Sequence, residues 1–567
     1  MSHDSAAALL ENAEVVAAIE EGKLTRTRTI GGIPRAAIQF CLERAEIQWE
    51  DLTHIGVASH PSDTLRRQAA LRGRLAPAAP VSSSYFLNKA LGDFGRELNN
   101  IRILKQLAGG SGSRVKTIDH HSCHAASAFF ASPFENALII SLDERGDGRA
   151  GLVAVGERKQ IRELDSLQFP HSLAWIYSQF TLLLGFRPHY DEHKTQWLSL
   201  IGEPEYADIF IEMLRGRRGG APHLKAEYFR REFSGQLCFK EQFYRKVGIS
   251  GGGKQSGNPA IDDRKRANIA ASLQKACSSI LIEWFSTLRQ KTQQKALCLA
   301  GGLFLNPLLV AEIEAKGGFE DVFVQPATGN EGTALGAAWH IWHESLGKPR
   351  AAETGAPLWG PAYSNEQIKA VLDNCKATYR WLDSDDLKIG ETMRLLHSGK
   401  IVAFFQGAAE FGPRALGNRS LLASPWAPYV KENLNDFVKH RESFRPFALA
   451  IPEEDAAEFF AASANAVFLA TMAQANDKGR KLLQHLPEGF LLPGNLVRLQ
   501  VVRERDNPLF WKLLKRSGED SPAPILVNTS FNLFGEPLVI TPRDAVRSYF
   551  CSGTDALVAG NFLLEKR

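Results

Sequence analysis

Hydrophobic and polar positions change period repeatedly along the chain. Ala6–Leu10 and Glu14–Ile19 are short apolar-rich stretches joined by a polar turn, which predicts a β-hairpin. Val115–Ile118 predicts a strand. Asp119 follows, placed to cap a helix that Ala125, Ala126 and Ala128 favour. The unbroken apolar run Ala137–Leu142 predicts a buried strand closed by Asp143; a polar turn over 144–148 then leads to a second strand at Gly151–Val155. An amphipathic helix is predicted over 268–290. Strands at Ala296–Ala300 and Val322–Val324 follow, the first running into Gly301-Gly302 and the second into a polar loop and a helix over Thr333–His343.

After residue 345 the pattern breaks. Gly347, Pro349, Gly355, Pro357, Gly360 and Pro361 predict a linker. Beyond it, strands are predicted at Ile401–Phe405, Pro524–Val527 and Leu538–Ile540. Alternating strands and helices on both sides give an α/β fold in two parts: residues 1–345, a linker at 346–360, and residues 361–567.

Composition narrows the classes. The net charge of +4 in 567 residues, with no run of five or six basic residues, gives no support to a nucleic-acid binder. No apolar run approaches the ~18 residues needed to span a bilayer. Seven cysteines without a CxxC pair argue against a disulfide framework and a thiolate zinc site, and a cytoplasmic protein is expected.

Three constellations carry chemistry. His120 and His124 are four apart on the predicted helix, so both imidazoles share a face that can chelate a divalent metal, and Asp143 adds a carboxylate that is costly to bury unpaired. Ordinary core histidines are the alternative. Gly301-Gly302 after a strand, and Gly329-Asn330-Glu331-Gly332 before a helix, let backbone amides approach a phosphate closely. Such turns also occur in α/β proteins without that role. The third is cationic. Phe411–Ser420 carries Arg414 and Arg419, with Lys439, Arg441 and Arg445 close behind and Arg498 and Asn528 further on. Guanidinium forks match phosphate oxygens, and the Gly, Pro and Phe around Arg414 and Arg445 favour a built pocket over a solvated basic face.

Asp119–Ala128 (DHHSCHAASA), Phe411–Ser420 (FGPRALGNRS), Arg441–Phe447 (RESFRPF), Val527–Pro537 (VNTSFNLFGEP), His3–Leu9 (HDSAAAL) and Gly332–Ala338 (GTALGAA) together resemble the signatures of the O-carbamoyltransferases that modify nodulation factors, cephalosporins, aminoglycosides and ansamycins. The resemblance implies an N-terminal domain of the actin/sugar-kinase (ribonuclease-H-like) fold and a C-terminal YrdC-like α/β domain. It implies that carbamoyl phosphate and ATP, with Mg(2+), form carbamoyl adenylate in the C-terminal domain. The N-terminal domain then transfers the carbamoyl group to a hydroxyl of a small molecule beside a metal, Fe(2+) in this family. Carried over, His120, His124, Asp143 and the position of Asn330 would ligate the metal. Gly301, Gly302 and Asn306 would meet the nucleotide. Arg414, Lys439 and Arg445 would be catalytic, and Arg498 and Asn528 would bind substrate. The acceptor pocket would fall within 156–260, which holds Trp175, Tyr177, Phe180, His189, Lys194 and Trp197. The alternatives are a related transferase acting on tRNA or protein and a degenerate nucleotide-binding protein. The retained Arg414, Lys439 and Arg445 argue against the latter.

The chain departs from the pattern at Asn330, where the family has aspartate; a neutral amide is the weaker ligand, and Glu331 is the adjacent substitute. Glu144 and Arg145 add charge beside Asp143. The family pattern also has a short apolar strand ahead of the HDSAAAL segment. A chain extended upstream by such a strand is expected to melt at a higher temperature; equal melting temperatures would contradict this.

Overall fold

Residues 4–27, 31–67, 80–109, 114–230, 237–249, 261–350 and 355–566 are described in the computed structural model. They divide into two units, Glu46–Glu353 and Ser2–Ala45 together with Thr354–Arg567. His3 and parts of the expected linker and acceptor region (351–354, 231–236 and 250–260) lie outside the described residues.

The predicted hairpin forms: β1 (Ala6–Glu11) pairs antiparallel with β2 (Glu14–Glu20). It packs on the helix Arg35–Arg44. The sequence reading put this segment in the first domain, whereas here it groups with the second unit. The reason is apolar: Ile19 and Ala37, neither with exposed surface, join Ala409 and Ile540 in one cluster. The Ala18 amide donates to the Trp359 carbonyl at 3.2 Å.

In the first unit, β3 (Ile55–Ala58) and β4 (Val115–Ile118) form a parallel pair. The main sheet holds β5 (Asn136–Gly146), β6 (Arg149–Glu157), β7 (Gln160–Gln168), β8 (Ala296–Ala300) and β9 (Asp321–Val324) in the order β7-β6-β5-β8-β9. β5, β6 and β7 are antiparallel, and β8 and β9 continue parallel to β5. This is the ribonuclease-H-like order implied by the resemblance. Leu138, Ile139 and Ile140 are fully buried between helices, which is why their run does not alternate.

Asp143 does not close its strand as predicted. β5 runs on to Gly146, and its pairing with β6 shifts register between Leu142 and Gly146. Its parallel pairing with β8 ends at Ser141. Asp143 thus sits just past that last rung, where an irregular ladder re-aims side chains. The long helix is Asp263–Thr292, one turn longer at its start than expected, because Asp262 caps it by accepting from the Lys265 amide at 2.9 Å. The helix Gly332–Trp339 passes into a π-helical turn, His340–Ser345.

The second unit is built on an eight-stranded mixed sheet. Its strands are β10 (Arg380–Trp381), β11 (Val402–Phe405), β12 (Arg419–Ala423), β13 (Ala448–Pro452), β17 (Leu499–Val502), β18 (Leu526–Ser530), β19 (Ala556–Ala559) and β20 (Phe562–Glu565), in the order β10-β20-β19-β11-β12-β18-β13-β17. A small sheet of β14 (Phe460–Ala461), β15 (Ala473–Ala475) and β16 (Leu496–Val497) lies between. Phe404, Leu422, Ala450, Leu526 and Val558 pack one face of the large sheet against Leu396, Phe510 and Leu514. Leu538–Ile540 is not a strand. It is buried, and its link to the sheet region is the Val539 amide donating to Phe531 at 2.9 Å, so burial alone explains its apolar run. No helix among the described residues is long and apolar enough to cross a membrane. All seven cysteines are free thiols.

Ile19→Ala is expected to destabilise the second unit by about 2–5 kcal/mol, the cost of truncating a fully buried aliphatic side chain. Calorimetry should show the loss in that unit's transition and leave the transition of Glu46–Glu353 in place.

Candidate functional site

The first unit brings His120, His124 and Asp143 together. Asp119 caps the helix His120–Ala131 by accepting from the amides of His121 (3.0 Å) and Ser122 (3.2 Å), which fixes the rotation of its first turn. His120 Nε2 and His124 Nε2 are 3.2 Å apart, and each is 3.3 Å from Asp143 Oδ2. All three residues are buried. Two imidazole nitrogens and one carboxylate oxygen, converging within 4.8 Å, form the one cluster of metal-ligating type among the described residues. The donor set suits a divalent transition metal such as iron, which favours imidazole and carboxylate with positions left open.

The surroundings hold Asp143 and His124 in ligand form. Burial opposes ionisation of Asp143, but its hydrogen bonds to His120 and His124 keep its carboxyl well below the usual range. Burial pushes His124 down despite Asp143, so its imidazole stays neutral. His121 is fully buried, and its Nδ1 lies 2.8 Å from Ser141 Oγ. Burial, with His120 and His124 nearby, lowers it to about 3.

Two supports escaped the sequence reading. Asp147 accepts from the amides of His60 (3.0 Å) and His120 (2.9 Å) and from Thr64 Oγ1 (2.8 Å). Arg67 bridges Asp119 Oδ2 and the Asp147 carbonyl, each at 2.9 Å. Asp147 was visible as part of a polar turn, but nothing local ties Arg67 to it. Gly146 matters because a β-carbon there would stand 1.9 Å from His120 Cδ2.

The glycine loops abut this centre. A β-carbon on Gly301 would strike the Leu142 carbonyl at 2.2 Å, and one on Gly302 would stand 2.9 Å from Asp143 Oδ1. The Gly301 amide donates to the Thr328 carbonyl at 2.8 Å, drawing the loop that carries Asn330 to the same end of the sheet. The Asn330 carbonyl accepts from Thr333 Oγ1 at 2.6 Å, while Glu331 turns its carboxylate to the Gly329 amide at 3.3 Å and does not join the cluster. Asn306 caps the helix Pro307–Lys316 and donates to Gln274 Oε1 at 2.8 Å. Trp175, Tyr177, Phe180 and Trp197 are core residues. His189 instead lies 3.0 Å from Glu144 at the surface, and Lys194 lies 3.4 Å from Asp191.

The second unit collects cations at one end of its sheet. Antiparallel pairing of β18 with β12 and β13 sets Asn528 opposite both Leu422 and Ala448. The segments entering β12, β13 and β17 therefore converge there, bringing Arg414, Arg441, Arg445 and Arg498. Burial and then the charges of Arg414, Arg441 and Arg445 push Arg498 well below the usual guanidinium range. Burial and Arg445 lower Arg441 to about 9. Arg441 also stacks on Phe447 at 4.1 Å and donates to Asn435 Oδ1 at 2.9 Å. The sequence groups it with the cations and opens the Arg445 motif with it, but assigns it no role. Glu442 lies 3.7 Å from Arg445.

Arg414 rides on a loop fixed from beneath. Glu410, fully buried, accepts from the amides of Leu416 (2.8 Å), Asn418 (3.0 Å) and Arg419 (3.1 Å). Gly417 is required, because φ is +117° and a β-carbon would stand 2.4 Å from the Phe510 ring. Asn528 donates to the Ala415 carbonyl at 3.2 Å and to Gln500 Oε1 at 2.6 Å. Arg419 is no pocket cation. It is fully buried, donates to the carbonyls of Gln406, Pro361 and Gly407, and stacks 3.9 Å over Phe405. Lys439 is buried and donates to Asn532 Oδ1 at 2.9 Å and to the Ser530 carbonyl.

Two outcomes follow from the metal-type centre. Gly146→Ala, by displacing the His120 ring, should weaken binding of a divalent metal about 10–100-fold in a direct titration. The unfolded chain protonates His121 below about 6.5 and the folded chain only near 3, so stability should rise with pH between these values and level off above them. His121→Gln should reduce that slope by up to about 1.4 kcal/mol per pH unit in denaturant melts at pH 4–6.

Comparison with known proteins also finds two parts, with residues 1–45 falling in the first. The family model described as Carbamoyltransferase N-terminus matches residues 1–339, and that described as Carbamoyltransferase C-terminus matches residues 393–566. An uncharacterized protein of Synechocystis is 32% identical over 596 aligned residues, covering 100% of this chain and 95% of its own. Nodulation protein NolNO of Sinorhizobium fredii is 30% identical, over 100% of this chain and 79% of its own. The 3'-hydroxymethylcephem-O-carbamoyltransferase of Amycolatopsis lactamdurans is 30% identical over 50% of this chain and 51% of its own. With both family models matched in order along most of its length, the chain belongs to the carbamoyltransferase family and is a carbamoyltransferase.

Proposed function

We propose that the protein is an ATP-dependent O-carbamoyltransferase that works in two stages. In its C-terminal unit water splits carbamoyl phosphate into carbamate and inorganic phosphate, and a carbamate oxygen then attacks the α-phosphate of ATP, so that carbamoyl adenylate forms and pyrophosphate leaves. The carbamoyl adenylate then serves transfer to a hydroxyl of a small molecule at the His120–His124–Asp143 centre. Crowding of Arg414, Arg441, Arg445 and Arg498 at one sheet end is the observation that carries this reading. Like charges that depress one another are relieved by an anion, and carbamoyl phosphate and the ATP phosphates are anions of the right kind. The same cations neutralise charge that builds as pyrophosphate departs.

In this reading Arg414, Lys439 and Arg445 act on the reacting phosphates. Arg498 and Asn528 hold the substrate, and Arg441 joins them. In the first unit, Gly301 and Gly302 allow close backbone approach beside Asp143. A metal held by His120, His124 and Asp143, iron being the expected one, would polarise the carbamoyl oxygen when bound. The relative named as a cephem O-carbamoyltransferase supports a hydroxyl acceptor of small-molecule type. The free thiols suit a reducing cytoplasm, where ATP with Mg(2+) is the co-substrate.

Pyrophosphate release from ATP, measured with no acceptor present, should depend on carbamoyl phosphate. Arg414→Ala should lower it by about 100-fold or more. His120→Ala should spare it and abolish transfer to any acceptor found. Full release by Arg414→Ala would overturn the assignment of the C-terminal site.

A further inference from the structure

Residues 20–26 lie far in sequence from the cationic site, yet their charged side chains end on the two loops that shape it. Lys23 is buried on the short helix Glu21–Thr25. Its ammonium donates to the carbonyls of Glu410 (2.8 Å) and Gly412 (2.7 Å) and pairs with Glu20 Oε1 at 2.8 Å. Those three partners match the three donors of an ammonium group. Glu20 Oε1 in turn accepts from the Gly412 amide at 2.9 Å. The pair therefore grips Gly412 at both its N–H and its C=O, two residues before Arg414. The Gly412 φ of +102° is one that glycine adopts readily. Glu410 holds the far side of the same loop through the Leu416, Asn418 and Arg419 amides.

Arg26, the left-handed cap of that helix at φ 59°, serves the other loop. Its guanidinium donates to the Leu538 carbonyl at 2.5 Å and to Glu536 Oε2 at 2.9 Å, and lies 3.5 Å from Asp544 Oδ1. The Glu536 carbonyl accepts from Asn532 Nδ2 at 2.8 Å, and Asn532 Oδ1 receives Lys439. An unbroken path of polar contacts thus runs from Arg26 through Glu536 and Asn532 to Lys439.

We propose that Lys23 and Arg26 are positioning residues of the adenylate-forming site, Lys23 acting through the Arg414 loop and Arg26 through the Asn532–Lys439 contact. The inference rests on the function proposed above. It makes the segment before residue 27 a working part of the C-terminal site, not only a packing element. Neither residue needs to touch substrate. Each sets where a cation sits, and displacement of a catalytic group by about 1 Å is enough to cost on the order of 100-fold in rate.

The test uses the full chain and carbamoyl-phosphate-dependent pyrophosphate release. Assays at 10 °C, with folding checked by circular dichroism, separate kcat and KM from thermal loss. Lys23→Met and Arg26→Gln should each lower kcat/KM about 10–100-fold, and Lys23→Arg should recover part of the loss. Lys23→Met placed in an Arg414→Lys background should add little further loss, because both changes act on one group. The milder Glu20→Gln and Lys23→Arg keep the packing and should still shift KM for carbamoyl phosphate if Lys23→Met does not fold. Wild-type kcat and KM in folded variants, with only the melting temperature lowered, would overturn the inference. So would losses that multiply fully with Arg414→Lys. A wild-type chain that releases no pyrophosphate would instead overturn the functional reading, and this inference with it.

Discussion

Mutual repulsion among Arg414, Arg441, Arg445 and Arg498 is the constraint around which the second unit is organised. Two unit charges 6 Å apart repel by about 3 kcal/mol at an effective dielectric of 20. A chain that gathers four of them at one sheet end needs rigid supports to stop them swinging into solvent. Those supports are visible. Glu410 ties down the Arg414 loop through three amides, and Arg419 is consumed as a scaffold among carbonyls. Arg441 is stacked on Phe447 and fastened to Asn435. The sheet does the remaining work, because β12, β13 and β17 all begin at the end where β18 presents Asn528.

The first unit solves the opposite electrostatic problem. A buried carboxylate, Asp143, is stabilised by the imidazoles of His120 and His124, and burial lowers the pKa of His124. Its position depends on a ladder irregularity in β5 and on Gly146, which leaves room for the His120 ring. Asp147 and Arg67 hold the helix N-terminus in place. One unit therefore concentrates positive charge suited to phosphates, and the other presents neutral nitrogen and anionic oxygen suited to a metal. That contrast fits two successive chemistries better than one.

Much of this was legible in the sequence, and the reasons differ by residue. His120 and His124 were readable because helical spacing alone puts them on one face. Arg414 and Arg445 were readable because Gly, Pro and Phe around them mark rigid turns. Arg419 was misplaced, because a turn with two arginines does not say which one points inward. Arg441 was undervalued, because its cooperation with Arg498 depends on strand pairing across distant segments. Leu538–Ile540 looked like a strand because burial and strand pairing give short apolar runs the same signature. Grouping residues 2–45 with the second unit was beyond reach, since it rests on contacts such as Lys23 with Gly412, which no local pattern encodes.

The proposed function makes the arginine cluster an anion site for carbamoyl phosphate. Isothermal titration of the full-length protein with carbamoyl phosphate, repeated with Arg498→Gln, tests it most directly. Saturable binding by the wild-type chain, weakening as salt rises and lost in the variant, is the expected result. Equal binding by both proteins, or none by the folded wild type, would contradict it.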